Sequence, residues 1–342
     1  MSSILNDRKP HPINQKKLGL TVLNHLTEIV LLIVVVALWI ANPNFMKINN
    51  WMNLLRSGAI KGIIALGVTM VLLAGKIDLS LGSQVALSGV IVAVFGKTMK
   101  AAGWTDLTVP CIIGMLVSLV VAFLCGGFHA TIQAKYNLPP FIITLAMQYV
   151  LFGVGATICN NYPIPNMYPD WFVQLGMGRV FKTANFSGIP VPLLIFIGMF
   201  IIFYVVLEHT TTGRAIYAIG GNQEAARLSG INVYGTKLVV FITVQVCAVI
   251  AGWVNSAMVM NADWTYAKDW PTDCITMVII GGTSMTGGSG RIFGTLVGVV
   301  LISVLINGMT MLNWNIYIQY IVRGGILLGS LLLMTYRDMM RD

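Results

Sequence analysis

The chain has 342 residues; 56% are hydrophobic and only 10% charged, and the mean hydropathy is +0.81. Soluble domains carry about 25% charged residues, so this composition excludes an ordinary water-soluble globule and points to a polytopic membrane protein. The net charge of +9 does not indicate nucleic acid, because the basic residues are scattered; excess Lys and Arg in cytoplasmic loops accounts for it.

A bilayer core takes about 20 mostly apolar residues per helix. On that template the sequence predicts an all-α polytopic protein with ten spans near 25–42, 57–75, 83–97, 109–130, 139–158, 189–207, 237–258, 272–285, 291–309 and 316–335. The first run lacks a small-residue cleavage pattern and reads as a retained helix, not a signal peptide. The organisation is a tail over 1–24, a membrane domain over 25–336 and a closing tail over 337–342. With the N-terminus inside, Arg8, Lys9, Lys16, Lys17, Lys76, Lys135, Arg214, Arg227, Lys237, Arg291, Arg337 and Arg341 are cytoplasmic. The outer side then holds Lys47, Arg56, Lys97, Lys100, Arg179, Lys182 and Lys268, so the basic bias favours both termini inside. Lys61 and Arg323 fall within spans, near enough to the ends to read as snorkelling side chains.

The longest outer loop, 160–188, holds Pro163, Pro165, Pro169 and Trp171 and reads as semi-rigid, with an interfacial turn at Trp171–Leu175. It is either a partner surface or a plain connector. Small residues recur every four positions at Gly114, Ser118, Ala122, Gly126 and Ala130, at Gly290, Gly294 and Gly298, and at Gly325 and Gly329. Such faces let helices pack closely in lipid. Cys111, Cys125, Cys159, Cys247 and Cys274 have no metal-ligand or CxxC spacing and read as small buried hydrophobes.

Two stretches resemble each other. MVLLAGKIDLSLGSQVAL from Met70 and MVIIGGTSMTGGSGRIFG from Met277 each place a glycine, Gly75 or Gly282, after an apolar run. Hydroxyl residues and a Gly-Ser pair follow, at Gly82-Ser83 or Gly288-Ser289, with Gly287 and Gly290 flanking the second. Paired glycine breaks in two halves of a membrane protein point to a midplane transport pathway. The candidate pathway residues are Asp78, Ser80, Ser83, Thr283, Ser284 and Asn307, the last also able to hydrogen-bond between helices. The span count makes the repeat parallel, and a re-entrant break would invert it. Asp78 has two readings, a structural cap for the next helix or a substrate or ion ligand.

The stretch from Glu208 to Lys237 is polar and glycine-punctuated between two apolar runs. Within it Asn222–Gly230 predicts a short helix, with Asn222 as N-cap, Glu224 in the first turn and Gly230 as the left-handed terminator. A soluble helix there is either a connector or a docking element.

No catalytic constellation appears. Gly96-Lys97-Thr98 lacks the first glycine of a P-loop, where Ile91 stands, and the glycines of 288–294 miss dinucleotide spacing by one residue. ATP and Mg, if used, belong to another chain.

GKIDLSLGS resembles the GGIDLSVGS hallmark of ribose-type ABC importer permeases. GGTSMTGGSGRIFGT resembles that family's GGTSLxGGxGRIxGT segment, and TTGRAIYAIGGNQEAARLSGIN its coupling segment. INGMTML and YIQYIVRG fit its last two helices, so the resemblance runs from about Pro43 to Tyr336. It implies the type II importer fold, a bacterial inner-membrane location, and import of a pentose, hexose or related furanosyl compound. It also implies partners: ATP-binding subunits, a periplasmic or lipid-anchored binding protein, and a second permease that is identical or a paralogue. By position, Asn222, Glu224, Ala225, Ala226, Arg227, Leu228 and Gly230 match the ATPase-coupling segment. Lys76 replaces a family glycine, and Ile306 a family asparagine. The rival readings are a nucleoside or branched-chain amino acid permease, an ion-coupled secondary transporter using Asp78, and a membrane scaffold.

Overall fold

A computed structural model describes residues 26–341, apart from 137 and 185. The predicted tail 1–24, with Arg8, Lys9, Lys16 and Lys17, lies outside the described residues, as do the side chains of Arg337 and Arg341.

In chain order the helices are α1 Leu26–Ala41, α2 Ile48–Leu73, α3 Leu81–Ala101, α4 Thr108–Tyr136, α5 Pro140–Ile158, α6 Asp170–Met177 and α7 Val191–His209. They continue as α8 Thr211–Gly221, α9 Gln223–Leu228, α10 Val233–Val259, α11 Trp270–Ile280, α12 Ile292–Met311 and α13 Ile316–Arg341. A 3-10 turn, Pro43–Met46, joins α1 to α2. Among the described residues seven helices are long and apolar enough to cross a membrane, and three shorter apolar helices match the remaining predicted spans.

Several boundaries differ from expectation, among them the end of the fourth span, which runs on from 130 to Tyr136. The second span begins at Ile48, well before residue 57, because the polar Asn49, Asn50, Asn53 and Ser57 hid its first half. The eighth ends at Ile280, where Gly282 turns into the left-handed region and stops the helix. The closing tail placed at 337–342 continues α13 as far as Arg341.

α10 is the central helix and packs on α2, α3, α4 and α6. The main core joins Ile63, Ile64 and Leu66 of α2 to Val240 and Val244 of α10 and Val278 of α11. α7 is the reverse case: only 22% of its apolar window is buried, so its surface suits lipid. The small-residue faces on α4 and α12 make the predicted close contacts. A Cβ at Gly126 would sit 2.6 Å from the Ile242 backbone, and one at Gly298 would overlap the Met277 carbonyl. Gly325 and Gly329 behave differently; a Cβ there would meet nothing within 4 Å. All five cysteines are free and buried.

The loop over 160–188 is built structure. β1 Ile164–Pro165 pairs antiparallel with β4 Asn261–Ala262, and β2 Arg179–Val180 with β3 Ile189–Pro190. Between them α6 buries Phe172 and sets Gly176 against the α10 backbone at Met258.

Contacts give the helix directions. Thr69 and Thr295 share a hydroxyl hydrogen bond of 2.7 Å, and Gly58 abuts Ser303, so α2 and α12 are antiparallel. Cys274 lies against the Lys61 carbonyl and Gly288 N–H donates to Leu73 O at 2.9 Å, so α2 and α11 run the same way. The two glycine-interrupted repeats are therefore parallel. Residues 76–79 carry no helix and lead back into the interior, where Asp78 meets Gln245, about 18 Å along α10 at 1.5 Å per residue. α11 also starts inside, since a Cβ at Gly82 would collide with Ala267 O just before it.

Asn50 and Asn307 exchange amide hydrogen bonds of 3.1 and 3.0 Å between α2 and α12. Asn307→Ala removes both of these bonds and leaves Asn50 only its 2.9 Å donation to Phe45 O; the expected loss is about 1 kcal/mol, read as a lower melting temperature in detergent.

An exposed polar helix, a glycine junction and a charged cluster between two cavities

The polar stretch folds as two short helices. α8 was not foreseen. Its N-cap Thr210 accepts from Gly213 N at 3.3 Å, and it buries Gly213, Ile216 and Ile219 along one side. α9 forms as its cap residues require: Asn222 Oδ1 accepts from Ala225 N at 2.9 Å. At the other end Gly230 has φ +82°, and Ile231 N–H reaches back to Ala226 O at 3.1 Å. Glu224 and Arg227 form an exposed pair with contacts of 3.1 and 2.5 Å. Hydrogen bonds from Arg227 hold the Glu224 carboxyl below its ordinary value. Its small contribution to the helix is present above the unfolded carboxylate value and fades as pH falls through the depressed one. Leu228 is 76% exposed, an apolar knob at the end of a polar helix. Ala225 is also exposed. Ala226 differs from its neighbours: it is 4% exposed and packs into the chain's own core.

The two glycine breaks meet directly beneath this surface. A Cβ at Gly287 would lie 2.7 Å from Gly75 N and 2.8 Å from Gly220 O. One at Gly288 would lie 2.8 Å from Gly221 Cα, and one at Gly220 would overlap Leu73 O. Only hydrogen fits at these positions, so α8 and both breaks form one backbone-to-backbone junction. The Tyr217 hydroxyl adds a link by donating to Gly290 O at 3.0 Å. No sequence pattern showed that glycine sites at 75, 220 and 287–288 converge.

The hydroxyl and acidic residues of the breaks are packed, not lining a cavity. Asp78, Ser80, Ser83, Thr283 and Ser284 are all 2% exposed or less. Asp78 Oδ1 accepts from Ser80 N at 2.9 Å and Ser80 Oγ at 2.6 Å, while Oδ2 accepts from Gln245 Nε2 at 2.8 Å. His129 Nδ1 is 3.5 Å away. Asp78 thus closes an Asx turn leading into α3, and Ser80, not Asp78, stands at the N-cap. Ser83 Oγ donates to Ser80 O at 2.6 Å. In the second break, Ser284 N–H bonds Ser289 O at 2.9 Å, and Thr283 packs against Gly290. Of the candidate pathway residues, Asn307 lines a cavity of about 240 Å³, and the glycine at 282 borders an apolar groove of about 470 Å³ between α1, α11, α12 and α13. Asp78→Leu strands the Ser80 N–H and leaves Gln245 Nε2 only its 2.8 Å bond to Ser80 Oγ, and it is expected to cost about 1–3 kcal/mol, measured by thermal unfolding. Asp78→Asn keeps an acceptor and is expected to stay milder.

The charges that sequence reading assigned to snorkelling converge instead. Lys61 Nζ lies 2.5 Å from Asp273 Oδ2, and Arg323 NH1 lies 3.6 Å from the same oxygen. Lys61 is midway along α2, about 20 Å from either end, so reaching an interface would mean leaving Asp273 unpaired. Asp273 was missed because the predicted eighth span put it at a terminus. The available signal was an acid and two bases inside three apolar runs. Lys61 lines a cavity of about 240 Å³ with Asn53, Ser57, Ser303, Asn307 and Thr310. Asp273 and Arg323 line one of about 190 Å³ with Asp269, Thr272, Thr276 and Tyr320. The ion pair stands between the two.

The chain is a multi-pass helical protein in which an exposed, capped polar helix adjoins paired glycine breaks. The family model of the branched-chain amino acid transport system permease component matches residues 50–331. The chain belongs to that permease family. The permease is 35% identical over 307 residues to the ribose import permease protein RbsC of Escherichia coli K12, covering 89% of this chain and 91% of the relative. It is likewise 35% identical to Bacillus subtilis RbsC, covering 89% and 90%. The galactose/methyl galactoside import permease protein MglC of Salmonella typhimurium is 29% identical, with 89% and 92% covered. No solved structure matches the permease.

Proposed function

We infer that this permease is the membrane subunit of an ATP-binding cassette importer for a small neutral sugar, a pentose, hexose or related furanosyl compound. The observation that carries the reading is α9: a capped polar helix with Leu228 exposed, joined through α8 to both glycine breaks. ATP and Mg bind the partner ATPase, which closes and pushes on Asn222, Glu224, Ala225, Arg227 and Leu228. The glycine junction carries that motion into α2, α3, α11 and α12. This chain hydrolyses nothing itself. A conformational equilibrium shifts only by differential affinity, and ATP supplies that through the partner. Asp78, Ser80, Ser83, Thr283 and Ser284 hold the junction in shape, with Gly82 and Gly282 at its edges.

The assembly has two permease subunits, identical or paralogous, and a periplasmic or lipid-anchored protein that delivers the solute. It sits in the bacterial inner membrane with both termini cytoplasmic, a tail over 1–24, a permease domain over 25–336 with its coupling segment at 208–237, and a tail over 337–342. A sugar is favoured over the amino acids of the family's name by the names of the relatives, which are ribose and galactose import permeases. Cavities edged by Asn53, Ser57, Thr272, Thr276 and Asn307 also suit hydroxyl groups. The test is uptake of radiolabelled ribose, xylose and galactose by the reconstituted complex, with leucine as the rival. ATP-dependent uptake of a sugar is expected. Uptake of leucine alone would overturn the substrate class.

A further inference from the structure

We propose that Asp273, held between Lys61 and Arg323, is the solute-binding group of the translocation route, recognising the hydroxyl groups of a neutral sugar. The proposal rests on the sugar-import reading above and names the residues that would contact the passing solute.

The geometry has four parts. First, Asp273 is buried on α11, with Lys61 of α2 at 2.5 Å and Arg323 of α13 at 3.6 Å, so one carboxylate gathers three helices inside the membrane domain. Ionised groups at that depth are costly and are found where they serve a pathway. Second, cavities of about 240 and 190 Å³ flank the cluster, largely apolar in surface but with hydroxyl, amide and charged side chains among their lining residues. The smaller alone has the volume of about six waters. A purely structural ion pair is better served by tight packing than by flanking space. Third, hydrogen-bonding capacity is left over: Arg323 Nε is buried without a partner among the described residues. Thr276 Oγ1 is turned onto its own helix at Thr272 O, which leaves its lone pairs able to accept. Fourth, aromatic rings flank the charges. Lys61 Nζ lies 5.6 Å from the Trp270 ring centre, and Arg323 lies 5.8 Å from that of Tyr320, whose hydroxyl neighbours Asp269.

A carboxylate accepting from two adjacent hydroxyls, guanidinium and ammonium groups donating to others, and an aromatic ring against the C–H face of the sugar make a carbohydrate site. Counting Asp269, two acids balance two bases, so the site has no net charge. An anionic or cationic solute would find as much repulsion as attraction. A neutral polyol finds donors and acceptors already aligned. On solute entry the Asp273–Lys61 contact opens, each partner takes a hydroxyl, and the contact re-forms behind the solute.

The test uses the complete reconstituted complex, measuring uptake of radiolabelled ribose, xylose and galactose alongside ATP hydrolysis in the same vesicles. Asp273→Asn is expected to lower the uptake-to-hydrolysis ratio at least tenfold, while hydrolysis still responds to the loaded binding protein. The charge swap Lys61→Asp with Asp273→Lys rebuilds an ion pair and is expected to restore folding without restoring that ratio. A wild-type ratio in either variant would overturn the proposal. If Asp273→Asn does not assemble, Thr276→Cys in the complex reports instead. Millimolar sugar is expected to slow its labelling by a small maleimide, and unchanged labelling would overturn the site. Failure of the sugar reading looks different, as the wild-type complex would take up none of the three sugars.

Discussion

Replacing Gly220 with alanine is expected to cut ATP-driven uptake at least tenfold, while Gly221→Ala one residue away leaves it unchanged. The added methyl at Gly220 overlaps the Leu73 carbonyl and lies 2.6 Å from Gly288 N. Those two groups share the 2.9 Å hydrogen bond that joins α2 to the second glycine break. No flexible side chain can yield there, so backbone must move. Overpacking of this kind costs about 1–3 kcal/mol, and 1.4 kcal/mol is tenfold. At Gly221 the same methyl would meet nothing within 4 Å, so the pair separates junction geometry from helix propensity. Hydrolysis by the docked ATPase is expected to continue in Gly220→Ala, because the α9 surface is intact. Equal loss in both variants would show that α8 needs glycine for another reason.

Leu228→Asp is expected to act one step earlier, on docking itself. The side chain is 76% exposed in the isolated chain, so the substitution should leave the permease's own melting temperature unchanged. Losing a central apolar anchor from an interface costs about 2 kcal/mol or more, near thirtyfold in affinity. Uptake and the hydrolysis response to loaded binding protein should fall together, in contrast to Gly220→Ala. Glu224→Lys is expected to go the same way, since it breaks the pair with Arg227 and reverses the local charge. Full affinity for the ATPase in both variants would remove α9 from the coupling role.

The spans were legible because lipid demands long apolar runs, and α9 because its caps are local chemistry. Asn222, Gly230 and the residues between them sit within one turn of the groups they satisfy. α8 escaped notice because its apolar side is mostly glycine and isoleucine at 213, 216, 219 and 220, a weak signal in a polar stretch. The breaks are legible in the sequence as a pair, but their contact with each other and with α8 is not. Gly75, Gly287, Gly288 and Gly220 touch only in three dimensions. The pathway candidates Asp78, Ser80 and Ser83 are polar and intramembrane, but each spends its hydrogen bonds on a neighbour, which no one-dimensional pattern records. The charged cluster was hidden for the opposite reason. Lys61, Asp273 and Arg323 each look ordinary in sequence and become distinctive only when three helices bring them together.

The central claim is that an external ATPase drives this permease through α9. The most direct measurement is solute uptake into vesicles holding the complete complex, with ATP supplied and the ion gradients collapsed by ionophores. The account predicts uptake that needs ATP, the partner ATPase and an unaltered Leu228, and that persists without any gradient. Uptake by this chain alone, driven by a proton or sodium gradient and lost in Asp78→Asn, would contradict it.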